Sequence, residues 1–113
     1  MKDFIIRQAE RKDCALILSF IKALADYENM SNEVVADEAL LEEWIFDKQK
    51  AEVIFAVENG KEVGFALFFH NFSTFLGRSG LYLEDLYVQP DHRNKGYGKA
   101  LLKELAKIAV SRG

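Results

Sequence analysis

The chain has 113 residues, half of them hydrophobic and 29% charged, with one proline and seven glycines. This composition excludes disordered, collagen-like and low-complexity classes, and the length predicts one domain over residues 1–113. The single cysteine, Cys14, excludes an internal disulfide, and the lack of a Cys/His cluster predicts no metal site. The longest apolar run, 63–69, is too short to cross a bilayer, so we expect a cytoplasmic protein without a membrane partner.

Charge is distributed unevenly around a net value of −3. Residues 1–88 carry 9 Lys/Arg against 16 Asp/Glu, whereas residues 89–113 carry 6 against 2. The split permits a cationic partner at the acidic part and an anionic partner at the basic end, although acidic helices that are simply solvated remain an alternative. We expect no nucleic-acid partner, because the basic stretch is short and the whole chain is acidic.

The first half of the chain predicts one strand followed by two helices. Residues 4–6 are apolar between charged ends, which is typical of a short strand. Apolar side chains at helical spacing predict a helix over 13–28 that buries Ile17, Phe20, Ile21 and Leu24. The same criterion predicts a second helix over 36–46 that buries Leu40, Leu41, Trp44 and Ile45.

The second half predicts three strands and a helix. Residues 53–57 form a continuous apolar strand, Asn59-Gly60 predicts a type I′ hairpin turn, and 63–72 is the return strand. We expect a loop over 71–80 with exposed Phe72 and Phe75, and then a strand over 81–88. The last element is a helix over 95–112 that buries Leu101, Leu105 and Ile108. The order β-α-α-β-β-β-α predicts an α+β fold, a mixed and mostly antiparallel sheet flanked by helices.

A glycine-rich turn at 93–99 lies between the last strand and the last helix. Gly96 and Gly98 allow the backbone to approach a ligand closely, and the helix start offers free N–H groups. Lys95 and Lys99 are unfavourable at that positive helix end unless an anion binds there. The turn therefore predicts either a phosphate site or an ordinary glycine turn with solvated lysines.

Two carboxylates, Glu84 and Asp85, interrupt the apolar strand 81–88. Adjacent strand residues point to opposite faces, so at least one of the two should face a covered side. Burial of a carboxylate is unfavourable without a partner. The pair therefore indicates either a functional site or an ion pair with Arg7 or Arg78.

The strand 81–88, the following Pro-Asp-His and the pattern Arg93-x-x-Gly96-x-Gly98 together resemble the acetyl-CoA signature of the GNAT N-acetyltransferases. The segments 6–9, 13–14 and 21–28 are similar to the spermidine/spermine (diamine) acetyltransferase branch of that superfamily. The resemblance implies acetyl-CoA as co-substrate and a small cationic amine as acceptor. It also implies direct attack of the amine on the thioester in a ternary complex.

The resemblance implies a role for each matching residue. Main-chain groups of Leu86, Tyr87 and Val88 would pair with the pantetheine arm, and a backbone N–H near a strand bulge would hold the thioester carbonyl. The turn around the pyrophosphate would consist of Arg93, Asn94, Lys95, Gly96, Tyr97, Gly98 and Lys99. The residues matching amine contacts are Tyr27, Glu28 and Glu84, and Glu84 would bind the amine or accept its proton through water. His70 and His92 match no catalytic position.

Compared with the GNAT pattern, the sequence to Gly113 corresponds to the N-terminal two-thirds of the fold. It lacks the final strand-helix-strand-strand part and the general-acid tyrosine, so this chain is expected to be inactive if that part is essential. The alternatives are therefore a non-catalytic CoA-binding or assembly module, or a nucleotide-binding regulator. An open strand 81–88 would favour a homodimer.

Overall fold

The computed structural model describes residues 4–93 and 95–112. Four strands form one antiparallel sheet in the order β1-β2-β3-β4. The strands are β1 (Phe4–Gln8), β2 (Glu52–Glu58), β3 (Lys61–Ser73) and β4 (Arg78–Val88). The helices are α1 (Cys14–Tyr27), the short α2 (Glu38–Leu41) and α3 (Tyr97–Arg112). The predicted fold class and element order are confirmed.

Helices cover both faces of the sheet, which gives two apolar layers. The layer beneath α1 and α2 is centred on Ile17, Phe20, Phe55 and Phe65. The layer beneath α3 is centred on four other buried side chains, Ile54, Phe68, Leu101 and Leu105. Strand β2 contributes to both layers, as its continuous apolar sequence predicts, because alternate side chains point to opposite faces.

The predicted second helix differs from the structure. Its N-terminus begins at α2, where the side chain of Asp37 accepts a hydrogen bond from the Leu40 amide at 2.8 Å. Residues Glu42–Asp47 then continue as a π-helix, whose i→i+5 hydrogen bonds change the angular spacing of side chains. Leu41 and Ile45 are buried as predicted, but Leu40 is 41% and Trp44 45% exposed, so the prediction for these two was wrong.

The predicted loop over 71–80 is instead the end of a long hairpin. Ser73 pairs with Arg78, and the turn closes where the Gly77 amide donates to the Ser73 carbonyl at 2.8 Å. The last β2 pairing partner on β3 is Phe68, so the hairpin extends past the sheet as a two-stranded arm. Phe72 and Phe75 are exposed on this arm, as predicted, and Phe75 is fully exposed. No helix in the described part of the chain is long and apolar enough to cross a membrane.

Candidate active site

Most of the predicted cofactor residues meet in one cleft of about 450 Å³, which lies where the ends of α1 and β4 approach the start of α3. Eight of the predicted site residues line it: Tyr27, Leu86, Tyr87, Val88, Arg93, Gly96, Tyr97 and Gly98. Leu24 and His92 complete the lining. The predicted residues Glu28, Glu84, Lys95 and Lys99 are not among the lining residues, and Asn94 lies outside the described residues.

Strand β4 is the edge strand beside this cleft. Gly64 pairs with Val88, and the Gln89 amide donates to the Val63 carbonyl at 2.8 Å. In an antiparallel ladder this register directs the N–H and C=O groups of Val88, and of Leu86 two residues earlier, away from β3. The main chain of β4 can therefore pair with an extended ligand in the cleft.

The glycine-rich turn leads into α3 with its backbone open. Gly96 has φ of +82°, a conformation that favours glycine, and its carbonyl accepts from the Ala100 amide at 3.0 Å. The N–H groups of Gly98 and Lys99 therefore precede the first intrahelical donor and have no acceptor within the helix. Apart from its chain neighbours and the backbone of α3 itself, no heavy atom of the described residues lies within 4 Å of the position that a Gly98 Cβ would take. This arrangement fits the phosphates of a nucleotide-type ligand.

The charge of Lys95 has a partner that the sequence did not suggest. Its Nζ lies 3.4 Å from Oε1 of Glu58, at the end of β2. The unfavourable position of Lys95 near a helix N-terminus is therefore offset by a carboxylate, and it does not by itself require a phosphate.

Arg93 lies between two tyrosine rings at the cleft. Its guanidinium carbon is 4.6 Å from the ring centre of Tyr27 and 5.4 Å from that of Tyr87. Its Nε–H donates to the Val88 carbonyl at 2.9 Å. Tyr27 is 64% exposed, so it does not close the apolar face of α1 against the core. Cation–π contacts instead connect the end of α1 to the segment that follows β4.

The two carboxylates on β4 lie at a β-bulge. Leu67 pairs with Asp85 and Phe68 with Leu83, so Glu84 is the extra residue. Glu84 is exposed and Asp85 is half-buried. Burial raises the pKa of the Asp85 carboxyl, and the negative charges of Glu84 and then Glu28 raise it further.

The predicted alternative of an ion pair between these carboxylates and Arg7 is wrong. Arg7 pairs with Asp13 at 2.8 Å and with Glu62 at 3.0 Å. Those contacts connect β1 to the start of α1 and to β3, whereas the bulge lies on β4 at the opposite edge of the sheet. The Glu84–Asp85 pair therefore carries negative charge close to the acidic end of α1.

A second and larger cleft, of about 610 Å³, lies at the other end of the sheet. Its polar lining includes Glu52 and Arg112, which form an ion pair at 2.6 Å, and His70. None of the predicted site residues lines it. The smaller cleft therefore has the stronger claim to be the active site.

Within residues 4–93 and 95–112, no cluster of three or more His, Cys, Asp or Glu side chains is arranged to hold a metal ion.

Glu58 is the main residue of this region that sequence reasoning missed. It is the last residue of β2 and is 6% exposed. A charged residue beside a hairpin turn is usually solvated, so its type and position gave no signal of burial. Its partners lie 34 to 39 residues later in the chain, a separation that only the folded sheet brings together.

Comparisons with known proteins agree with the fold. The sequence profile of the acetyltransferase (GNAT) family matches residues 17–113. A thialysine N-epsilon-acetyltransferase of Sus scrofa is 36% identical over 122 residues, which cover all of this chain and 71% of that protein. A spermidine/spermine N(1)-acetyltransferase-like protein 1 of Homo sapiens is 35% identical, over 98% of this chain and 17% of that protein.

A solved structure extends the likeness to the backbone. A predicted acetyltransferase with acetyl-CoA from Clostridium acetobutylicum superimposes with a TM-score of 0.79. The match covers 97% of this chain and 75% of that one at 21% identity, which supports the fold alone. The family match, the relatives and the shared fold together confirm the resemblance seen in the sequence. The chain belongs to the GNAT acetyltransferase family.

Proposed function

We propose that the protein is an acetyl-CoA-dependent N-acetyltransferase acting on a primary amine of a small cationic substrate, such as a polyamine or a basic amino-acid derivative. One observation carries the proposal: the outward-facing main chain of β4 leads directly into the open N–H groups at the start of α3, within a single cleft. An extended arm and a phosphate group joined in one ligand match that sequence of features. Acetyl-CoA is such a ligand.

Different residues of the cleft would bind different parts of acetyl-CoA. Leu86 and the Val88 N–H would pair with the pantetheine arm, and Gly98 and Lys99 would donate their N–H groups to the pyrophosphate. The bulge at Glu84 turns a backbone N–H out of the ladder, where it would polarise the thioester carbonyl. Bound acetyl-CoA supplies the acetyl group as a thioester, which a neutral amine can attack.

The acidic surface beside the cleft would receive the amine. Glu28, Glu84 and Asp85 lie close enough for the first two charges to raise the pKa of the third. Negative charge attracts a cationic substrate. A carboxylate with a raised pKa is also a better proton acceptor, so Asp85 would take the ammonium proton before the nitrogen attacks. Glu84 would bind the amine or accept its proton through water. The relatives named for thialysine and spermidine/spermine act on amines of this type.

A thiol-release assay tests the proposal. The protein is mixed with acetyl-CoA and a panel of thialysine, ornithine, spermidine and spermine, and free CoA is followed with a thiol reagent. Release that depends on both acetyl-CoA and an amine supports the proposal and shows that the general-acid tyrosine of the GNAT pattern, which residues 1–113 lack, is not essential. The variant Glu84→Gln should lower the rate more than it lowers CoA affinity, whereas Glu43→Gln, which alters only the surface pair with Lys48, should change neither.

The same assay separates the second candidate function. A chain that binds CoA but never releases thiol with any amine would be a CoA-binding module. A chain that binds no CoA at all would contradict both functions. An ATP competition in a thermal-shift measurement addresses the nucleotide-binding alternative, because ATP would then displace CoA from the same turn.

A further inference from the structure

The carboxylate of Glu58 is buried at the end of β2, directly before the turn at Asn59-Gly60. Burial of a carboxylate without partners is strongly unfavourable. Its position also works against the proposed ligand, because negative charge beside a phosphate-binding turn repels the phosphate. A residue that is unfavourable on both grounds needs a structural reason, and its contacts supply one.

Three side chains in the glycine-rich turn or directly before it contact this carboxylate. The Tyr97 hydroxyl donates to Oε2 at 2.8 Å, His92 Nδ1 lies 3.0 Å from the same oxygen, and Lys95 Nζ lies 3.4 Å from Oε1. His92 ends the helical turn after β4, and Tyr97 is the first residue of α3. One carboxylate therefore ties both ends of the turn, and one point between them, to the sheet.

The turn has little stiffness of its own. Gly96 and Gly98 allow a wide range of backbone conformations, and ordering them on ligand binding lowers affinity through lost entropy. Tyr97 is held a second time by its ring, which stacks on Phe4 with centres 4.3 Å apart. Contacts that fix the turn before the ligand arrives remove part of that entropic loss.

We propose that Glu58 is a positioning residue for the pyrophosphate of acetyl-CoA. It holds His92 and Tyr97 in the positions that direct the N–H groups of Gly98 and Lys99 towards the ligand, while Lys95 offsets its charge. This inference rests on the proposed function. It concerns a residue on a different strand, outside the acetyl-CoA signature, that does not itself line the cleft.

The variant Glu58→Gln separates positioning from electrostatics. Removal of a negative charge near an anionic ligand would by itself tighten CoA binding. Loss of the charged hydrogen bonds to the turn would weaken it. We expect the Kd for CoA, measured by titration calorimetry, to rise about tenfold, the size of one lost charged hydrogen bond.

A second ligand tests whether the effect is local. Pantetheine lacks the pyrophosphate and would contact only the β4 part of the cleft. Its Kd in the Glu58→Gln variant should therefore stay within about twofold of the wild-type value. The matched control is Glu52→Gln, on the same strand. Glu52 pairs with Arg112 at the far end of α3, so its loss removes a comparable ion pair without touching the turn. CoA affinity should be unchanged there.

The variant Tyr97→Phe keeps the ring stacking on Phe4 and removes one hydroxyl. It should raise the Kd for CoA by a smaller factor than Glu58→Gln does. If Glu58→Gln does not fold, the Kd of Tyr97→Phe is the test of the inference. CoA binding to Glu58→Gln as tight as wild type, or tighter, overturns the inference while the proposed function stands. Equal weakening for CoA and pantetheine also overturns it. A wild-type chain that binds no CoA overturns the proposed function, and this inference with it.

Discussion

Replacement of Gly64 by alanine tests how closely β3 must approach β4 beside the cleft. A Cβ on Gly64 would lie 2.8 Å from the Tyr87 carbonyl oxygen and 3.1 Å from Cγ2 of Val88. Ordinary contact begins near 3.4 Å, so the two backbones must separate by several tenths of an ångström. The Tyr87 carbonyl and the Val88 Cα, which would lie 3.3 Å from the added Cβ, are both main-chain atoms, so side-chain rotation cannot relieve these two contacts.

The magnitude follows from two opposing contributions. Overpacking of this kind costs about 1–3 kcal/mol. Alanine recovers about 0.4–1 kcal/mol by restricting the unfolded chain. We expect Gly64→Ala to lower the free energy of unfolding by about 1–2 kcal/mol, the difference between these contributions. That loss should reduce the Tm by roughly 5–10 °C for a domain of this size.

Urea unfolding and CoA titration are the assays, with Gly80→Ala as the control. Gly80 lies on the same strand pair, but its added Cβ would face only the side-chain oxygen of Asn71, at 3.2 Å, which can rotate away. Gly64→Ala should also weaken CoA binding, because the displaced Val88 lies in the cleft. Equal stability of the two variants would refute the reasoning.

Three further predictions concern the core and its charges. Asp13→Asn should lower the free energy of unfolding at pH 7 by about 2 kcal/mol, because the carboxylate accepts two hydrogen bonds from Arg7. Arg7 lowers the pKa of Asp13, so this stabilisation is complete above about pH 4 and is lost as the pH falls further; a pH-independent difference in urea unfolding would contradict it. Burial raises the pKa of the Cys14 thiol, so the native protein should react with a thiol reagent far more slowly than the unfolded chain, and equal rates would argue against this account. Phe65→Ala should cost about 3–5 kcal/mol and Phe75→Ala close to none, measured by urea unfolding; similar losses would show that the hairpin arm packs in solution.

Local sequence signals predicted much of the fold. Asn59-Gly60 predicts a type I′ turn because few other residue pairs adopt positive φ at both positions. The observed φ values of +53° and +81° confirm that prediction. The predicted burial of β2 on both faces is likewise confirmed, because residues 53–58 are all buried. These features depend on neighbouring residues alone, and neighbouring residues are what a single sequence displays.

Features that depend on distant partners were not visible in the sequence. The π-helix at Glu42–Asp47 preserves the burial of Ile45 but turns Trp44 outward, and helical periodicity assumes a constant spacing. The charge on Lys95 predicted either a phosphate contact or a solvated lysine, whereas its ammonium group lies 3.4 Å from Glu58 at the end of β2. The catalytic role of Glu84, the homodimer and the cytoplasmic location stay predictions.

The bulge at Glu84 has a consequence for how β4 can vary. Leu81 and Leu83 pack beneath α3 together with Leu86 and Val88, although the first pair has odd numbers and the second even. In an uninterrupted strand these pairs would face opposite ways, because side chains alternate. The one extra residue changes the parity of the strand halfway along. Deletion of Glu84 would therefore restore strict alternation and keep all four side chains beneath α3, so this strand can lose its bulge without losing its apolar face.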